Sequence, residues 1–448
     1  MGTSALDLQS VASGRSRAGY GCSVTGSLWP APKGAWSSFL HQCHDASSRL
    51  EIQRTPGVSS LLPNEMPDTA MPKPPVSRRV APPVLGESAP VSPAALRLVS
   101  AGIHALWRRI VAADPGADAS PLLLSYDVHP TAGGPVLIEV NTNAGGVLAA
   151  IAAARQVNDC CAEWEQDRLH GRLLELFGHD LLGGDPRRAG VVAIVDDALA
   201  TQPLLGEMHA LAAMMRDEGA DVRVIDVSEL NYSDGRLRHG DLAIDRIYWR
   251  STDFMLEEPR HESVRRAVAE GTTALAPSVQ AYHAIADKRR FVEWSQHAEL
   301  ARDAATGQRF LIAQTVPMSS RTVEDWHADR KGWVFKPATG HGSRGVYVGK
   351  SISWHKLREL PLDNYLAQRY YPHPQLEREG ASWKYDIRFF GDRGQIIGAA
   401  ARLFQGQVMG MRTPGSGFAP IRVDGACCLL DALAQASVGS ADQRREMT

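Results

Sequence analysis

Two apolar runs joined by a Gly-Gly turn constrain this chain more than any other feature in it. The runs are "PLLLSYDVHP" and "PVLIEVNTNAGG", with Gly133–Gly134 between them. Each reads as a strand, and the glycines mark the reversal. On a strand, side chains two apart share a face, so Glu139 and Asn141 point the same way. If the strands pair, Asp127 joins them on one patch of the sheet. A carboxylate and an amide inside such apolar runs cost free energy unless something ligates them. Their hard oxygens are what Mg²⁺ prefers, completed by phosphate oxygens and water. An edge strand with a wetted polar face would explain the Glu-x-Asn pair alone equally well.

The surrounding pattern predicts a mixed fold, α/β in one part and α+β in another. Residues 1–90 are rich in Ser, Pro and Gly without sustained periodicity, and are expected to be a disordered leader. From Ser92 the segment "SPAALRLVSAGIHALWRRIVAA" has helical spacing, with Ser and Pro as start signals. Residues 91–187 therefore read as helix, strand, turn, strand and further helices. Strands alternate with helices across 188–285, as in a parallel α/β domain. Residues 286–425 are strand-rich with hairpin-like glycines, and 426–448 form a tail. The net charge of −2 gives no grip on nucleic acid or on an acidic membrane. No apolar run approaches the roughly 20 residues of a membrane span. The six cysteines show no Cys-x-x-Cys spacing, which argues against a zinc site or a disulfide framework and for a reduced, cytoplasmic protein.

A second chemical signal is "WVFKPATGHGSRGVYVG". Lys336 ends an apolar strand, and a loop with Gly340, Gly342 and Gly345 follows. Such a loop can fold its backbone N–H groups over a polyphosphate while the lysine meets the charge. A plain glycine-rich hairpin is the bland alternative. The nearby "GVYVGKS" is no P-loop, because one residue is missing between its glycines. Lys288, in "IADKRRF", is by itself one more surface lysine.

Taken together, these residues resemble the ATP-grasp superfamily in circularly permuted order. Lys288, Lys336 with "GHGSRG", the hinge-like "YLAQRYY" and "YDIRFFGDRGQIIGAAARLF" follow the usual sequence of that family. The strands carrying Asp127, Glu139 and Asn141, which usually come last, stand first. Moving 93–148 to the end would restore the common order. The arrangement is similar to eukaryotic-type glutathione synthetases, as are "IEVNTNAGG", "IYWRSTDF" and "MRTPGSGFAP". The chain departs from that family in having no acidic residue after Lys336 in the glycine loop. Gln368 stands at an often acidic hinge position, and no alanine-rich lid is recognisable.

The resemblance implies an ATP-grasp fold with an inserted α/β substrate domain and an ATP- and Mg²⁺-dependent carboxylate–amine ligase, with Mn²⁺ as a substitute ion. Asp127, Glu139 and Asn141 would hold the metal. Lys288, Lys336 and the loop residues Gly340, Gly342, Ser343, Arg344 and Gly345 would bind phosphates, and the hinge Gln368, Arg369 and Tyr370 would meet adenine through backbone. Arg402, then Arg388, are the catalytic candidates, and Arg250, Arg412 and Asn143 the substrate-binding ones. The partners expected are a small carboxylate and an amine, such as amino acids or short peptides. A small-molecule kinase and a non-catalytic nucleotide-binding module remain the alternatives.

Overall fold

In the computed structural model the hairpin forms, and it lies at the centre of the sheet rather than at an edge. The structure describes residues 84–156, 162–340, 344–378, 380–410 and 414–434. Strand Leu123–His129 pairs antiparallel with Val136–Asn141, with Asp127 opposite Glu139 and Ser125 opposite Asn141. On one side the Glu139 strand meets Arg309–Ile312 in parallel, and Glu299–Arg302 closes that edge. On the other side the Asp127 strand meets the long strand Ala381–Asp392, followed by Gln395–Phe404 and Gly417–Ala419. With Gln375–Arg378 the sheet has eight strands.

Both faces of this sheet are covered, which explains why the Asp127 strand reads as almost continuously apolar. Leu124, Tyr126 and Val128 face the helix Pro93–Ala113, packing with Leu96, Ile103 and Leu106. That helix begins as its start signals require, the Ser92 hydroxyl accepting from the Ala95 N–H at 3.1 Å. The opposite face carries Ser125, Asp127 and His129. Beside them the helices Val147–Ala154 and Ala162–Asp180 cover Leu123, Phe390 and Ile397.

Residues 188–285 do build a parallel sheet, in the order Ala274–Ala276, Arg246–Trp249, Val191–Asp196, Asp221–Asp226. Helix Leu205–Asp217 packs on one face, while Glu262–Ala269 packs with the other. An antiparallel ribbon, Leu230–Ser233, Arg236–His239 and Leu242–Ala243, was not foreseen from the parallel pattern. A further four-stranded antiparallel sheet orders Thr315–Pro317, Tyr365–Arg369, Trp333–Pro337 and Tyr347–Val348. It has its own core around Trp326, Trp333 and Phe335.

The expectation of a leader disordered to residue 90 fails for its last stretch. Ala89–Val91 pairs in parallel with Ile421–Val423, and the Leu85 N–H donates to the Phe418 carbonyl at 2.7 Å. Residues 1–83 lie outside the described residues. Among those described, no helix is long and apolar enough to cross a membrane.

Candidate functional site

The face of the central sheet that bears Asp127 lines a cleft together with the small antiparallel sheet. Period-two alternation puts the charged groups there: Asp127 and His129 on one strand, Glu139 on its neighbour, Asp386 on the long strand and Arg402 beyond it. Lys336 comes from the facing small sheet, on strand Trp333–Pro337. Lys288 follows a π-helical turn, Tyr282–Ala286, and reaches in between the two sheets.

The ion pairs form a chain. Arg388 grips Asp127 in bidentate fashion, with Nε and Nη2 each 2.8 Å from a carboxylate oxygen. Arg402 Nη2 lies 2.9 Å from Asp127 and 2.7 Å from Asp386, whose other oxygen takes the Arg402 Nε at 2.7 Å. Arg402 is 2% exposed, and its buried Nη1 has no hydrogen-bond partner among the described residues. Lys288 sits 3.1 Å from Glu139 and donates to the Gly340 carbonyl at 2.7 Å. Lys336 donates to the Gln368 side-chain oxygen at 2.7 Å, and the Gln368 amide donates to the Ile138 carbonyl at 3.1 Å.

This crowding shifts the titrations. Burial opposes ionisation of Asp127, but the Arg388 and Arg402 guanidiniums outweigh it and hold the carboxyl well below the usual range. Burial also works against Glu139 as an anion, and Lys288 and Lys336 reverse that. Lys336 is pushed down to about 8, first by burial and further by Lys288, with Glu139 pulling the other way. His129 is held neutral by burial and by the neighbouring His373.

The predicted residues do not all fall in one place. Asp127, Glu139, Lys288, Lys336, Gly340, Arg344, Gln368, Arg369, Tyr370 and Arg402 all line the one cleft. Asn141 and Arg388 do not line it but bond to Asp127, Asn141 through its Nδ2 at 3.4 Å. Gly345 follows Arg344 in the loop, with a φ of +70° that suits glycine. Arg250, which is buried, and Asn143 form a separate cluster, in which Arg250 donates to the Tyr248 hydroxyl at 2.8 Å and lies 3.9 Å from Glu207. Gly145 joins the two regions, since Arg388 donates to its carbonyl at 3.3 Å. Gly342, Ser343 and Arg412 lie outside the described residues.

One expectation needs correcting. The backbone N–H groups of Arg369 and Tyr370 already donate to Gln314 and Gly332, because the hinge strand is interior to the small sheet. Those two N–H groups are not available to a base; Tyr371, the next residue, also lines the cleft. Sequence reasoning also passed over His129, His373, Asp386 and Glu207. His129 and Asp386 each stand two residues from a chosen residue, Asp127 and Arg388, so same-face alternation would have found both. Glu207, 1% exposed, accepts from the N–H groups of Gly146 and Leu148 at 2.9 and 3.1 Å and so caps the helix Val147–Ala154.

The charge balance suits a polyphosphate. Lys288, Lys336, Arg344, Arg369 and Arg402 line the cleft against Asp127, Glu139 and Asp386. The orphaned Arg402 Nη1 is a donor in want of an anion, and Val334, Val346, Val348 and Met409 give an apolar flank.

No protein-family model matches the chain, and no curated protein matches it. Among solved structures it is similar to a protein of Methylobacillus flagellatus KT described as a "Putative gamma-glutamylcysteine synthetase". That pair shares 12% identity with a TM-score of 0.47, covering 75% of this chain and 88% of the other. It is also similar to the ATP-grasp ligase PsnB complexed with minimal precursor, at 12% identity and a TM-score of 0.28, covering 49% of this chain and 77% of that one. PsnB with precursor peptide PsnA2 and AMPPNP gives 10%, 0.27, 55% and 98% in the same terms. Likenesses this distant say nothing of the reaction, which has to be read from the cleft itself.

Proposed function

We propose that the chain is a circularly permuted ATP-grasp ligase, which activates a carboxylate with ATP and Mg²⁺ and joins it to an amine. The observation that carries this reading is the convergence in one cleft of Lys288, Lys336, Arg402, Asp127 and Glu139, drawn from segments up to 275 residues apart. Neither an edge strand nor a glycine hairpin by itself requires that convergence.

Asp127 and Glu139 are the metal-binding carboxylates in this reading, with Asn141 adding an amide oxygen beside them. The donor set fits: hard oxygens opposite one another on paired strands, next to an excess of cations. When bound, the ion supplies charge neutralisation on the phosphates. Glu139 is the freer ligand, because among the described residues only Lys288 pairs with it directly, whereas two guanidiniums hold Asp127. Lys288 would leave Glu139 and Gly340 to grip phosphate, and the loop 340–345 would then close over it. Lys336 supplies a second cation. Arg402, fixed by two carboxylates, presents Nη1 to the transferred phosphoryl group and then to the oxyanion of the tetrahedral intermediate. Arg388 positions Asp127 rather than touching substrate.

The substrate carboxylate oxygen attacks the γ-phosphorus, and the β–γ bridging oxygen leaves with ADP. The amine nitrogen then attacks the acyl carbon, expelling phosphate and releasing a proton. Arg250 and Asn143 would serve a substrate carboxylate through the Gly145 junction. The test is an ADP-release screen of amino acids and short peptides offered in pairs. ADP, phosphate and an amide appearing in equal amounts only when acid and amine are both present is the expected result. A phosphorylated alcohol as product would make the chain a kinase, and nucleotide binding without turnover would make it a regulatory module.

A further inference from the structure

We propose that His129, His373 and Asp386 form a second cation site in the cleft, one that selects a divalent transition metal such as Zn²⁺ over Mg²⁺. Their donor atoms lie within 4.8 Å of one another, drawn from three separate parts of the chain. His129 comes from the strand Leu123–His129, Asp386 from Ala381–Asp392, and His373 from the five residues that link the small sheet to the large one.

The histidines are prepared for the role. The Nδ1 of His129 lies 3.1 Å from the Tyr371 carbonyl oxygen. A backbone carbonyl only accepts, so it selects the tautomer with the proton on Nδ1 and leaves the Nε2 lone pair for a ligand. Metal-bound histidines characteristically make this outer contact. The His373 ring centroid lies 3.9 Å from that of His129, the two planes tilted by 48°, and the ring meets Phe404 edge-on. Asp386 completes the set as the anion. Arg402 occupies one direction at each of its oxygens, and every carboxylate oxygen has a second lone pair.

Selectivity follows from the donors. Imidazole nitrogen suits zinc, cobalt, nickel and copper, whereas magnesium prefers oxygen ligands and keeps its water. The site is also separate from the Asp127–Glu139 pair, because the Arg402 guanidinium bridges Asp127 and Asp386 and stands between them. Tetrahedral ligands about 2.1 Å from an ion lie about 3.4 Å apart, so the set must close by up to about 1.4 Å. His373 is the less buried of the two histidines and lies in an irregular link, so the movement falls to it. Metal binding would then tie the hinge-to-sheet link to the central sheet.

The experiment uses the full chain, stripped with a chelator and kept free of nucleotide, so that its outcome is independent of the ligase reading. Zn²⁺ binding is followed by calorimetry, Co²⁺ binding by its visible absorption, and the melting temperature is recorded with each, all under a large excess of Mg²⁺. One equivalent should bind and raise the melting temperature. His373→Ala and His129→Gln should each weaken binding about tenfold or more, while Glu139→Gln binds as the unaltered chain does. His373→Ala, at a less buried position, keeps the test decisive if the buried His129→Gln variant does not fold. Absence of binding, binding unchanged in His373→Ala, or displacement by Mg²⁺ would each overturn the proposal.

Discussion

Lys336 is buried beside Glu139 and Lys288, and burial dominates its proton affinity. An ordinary lysine stays charged to about 10.4, whereas this one is pushed down to about 8. The folded chain therefore holds fewer protons than the unfolded chain between about 8 and 10.4, and this residue's contribution to stability rises with pH across that window. Its grip on an anion runs the other way, being present below about 8 and lost above it. We expect nucleotide affinity, measured by titration calorimetry, to fall as pH rises from 7 to 9.5, by at most about tenfold per pH unit. Glu139→Gln removes the carboxylate that pulls Lys336 upward, so the midpoint should move lower still. Lys336→Arg should flatten the profile. A profile that is already flat in the unaltered chain would remove Lys336 from the phosphate site. The residue choices that sequence supported best were those where a charge interrupts an apolar strand, as Asp127 and Glu139 do. Gln368 was harder to read, because its side chain holds Lys336 and the Ile138 carbonyl.

At the scale of single elements, helix Pro93–Ala113 shows how packing overrides propensity. Alanine is ordinarily better than glycine inside a helix by about 1 kcal/mol. A Cβ on Gly102 would stand 2.0 Å from a ring carbon of Phe310, which is fully buried and has nowhere to go. Gly102→Ala should therefore destabilise by about 1–3 kcal/mol, the usual cost of overpacking, and denaturant unfolding would show it. A gain in stability would mean that the helix does not sit this close to the sheet. A different device ties the ends of the parallel strands. His261, 0% exposed, is held between Asp253 at 2.7 Å and Asp197 at 2.8 Å. Burial lowers its proton affinity, but the two carboxylates outweigh that and raise it. Its stabilisation is full below the ordinary histidine value of about 6.5 and fades as pH climbs through the raised one. Asp197 and Asp253 are both depressed, so their share fades only as pH falls below about 3.9. His261→Ala should cost roughly 3 kcal/mol, most clearly between about pH 4 and 6.5, in melts run across that range. The elements legible in sequence were those with a local period, namely the first helix, the hairpin and the βα alternation. The ribbon 230–243 was missed because its short strands carry charge and give the core only a few apolar side chains, such as Leu230 and Leu237. The small sheet's separate core was invisible too, since Trp326, Trp333 and Phe335 come together only in three dimensions.

At the scale of the whole molecule, the order of segments matters less than their placement. The central sheet takes its middle strands from residues 123–141 and its neighbours from 299–312 and 381–404. That pairing across long separations is affordable because loop-closure entropy grows only logarithmically with length. What sequence could not supply was where the two ends of the described chain go. They meet: Ala89–Val91 lies along Ile421–Val423, and Val84 bridges to Phe418. A chain whose ends are neighbours can be cut elsewhere and rejoined without changing any contact. The cut best placed for this is between Gly184 and Asp185, both exposed and outside every strand of the central sheet. A rearranged chain would run from 185 to 448, continue directly into residue 1, and end at 184, so that no residue is lost. Residues 435–448 and 1–83 would together serve as the connection. The hairpin bearing Asp127 and Glu139 would then follow Lys288, Lys336 and Arg402 in sequence, as in the common ATP-grasp order. We expect this chain to fold with a melting temperature within a few degrees of the original, the slow growth of closure entropy setting the scale. Nucleotide should bind with unchanged affinity. Loss of nucleotide binding in a chain that still folds would mean that the cleft depends on continuity through residue 184, and the permuted reading of the fold would fall.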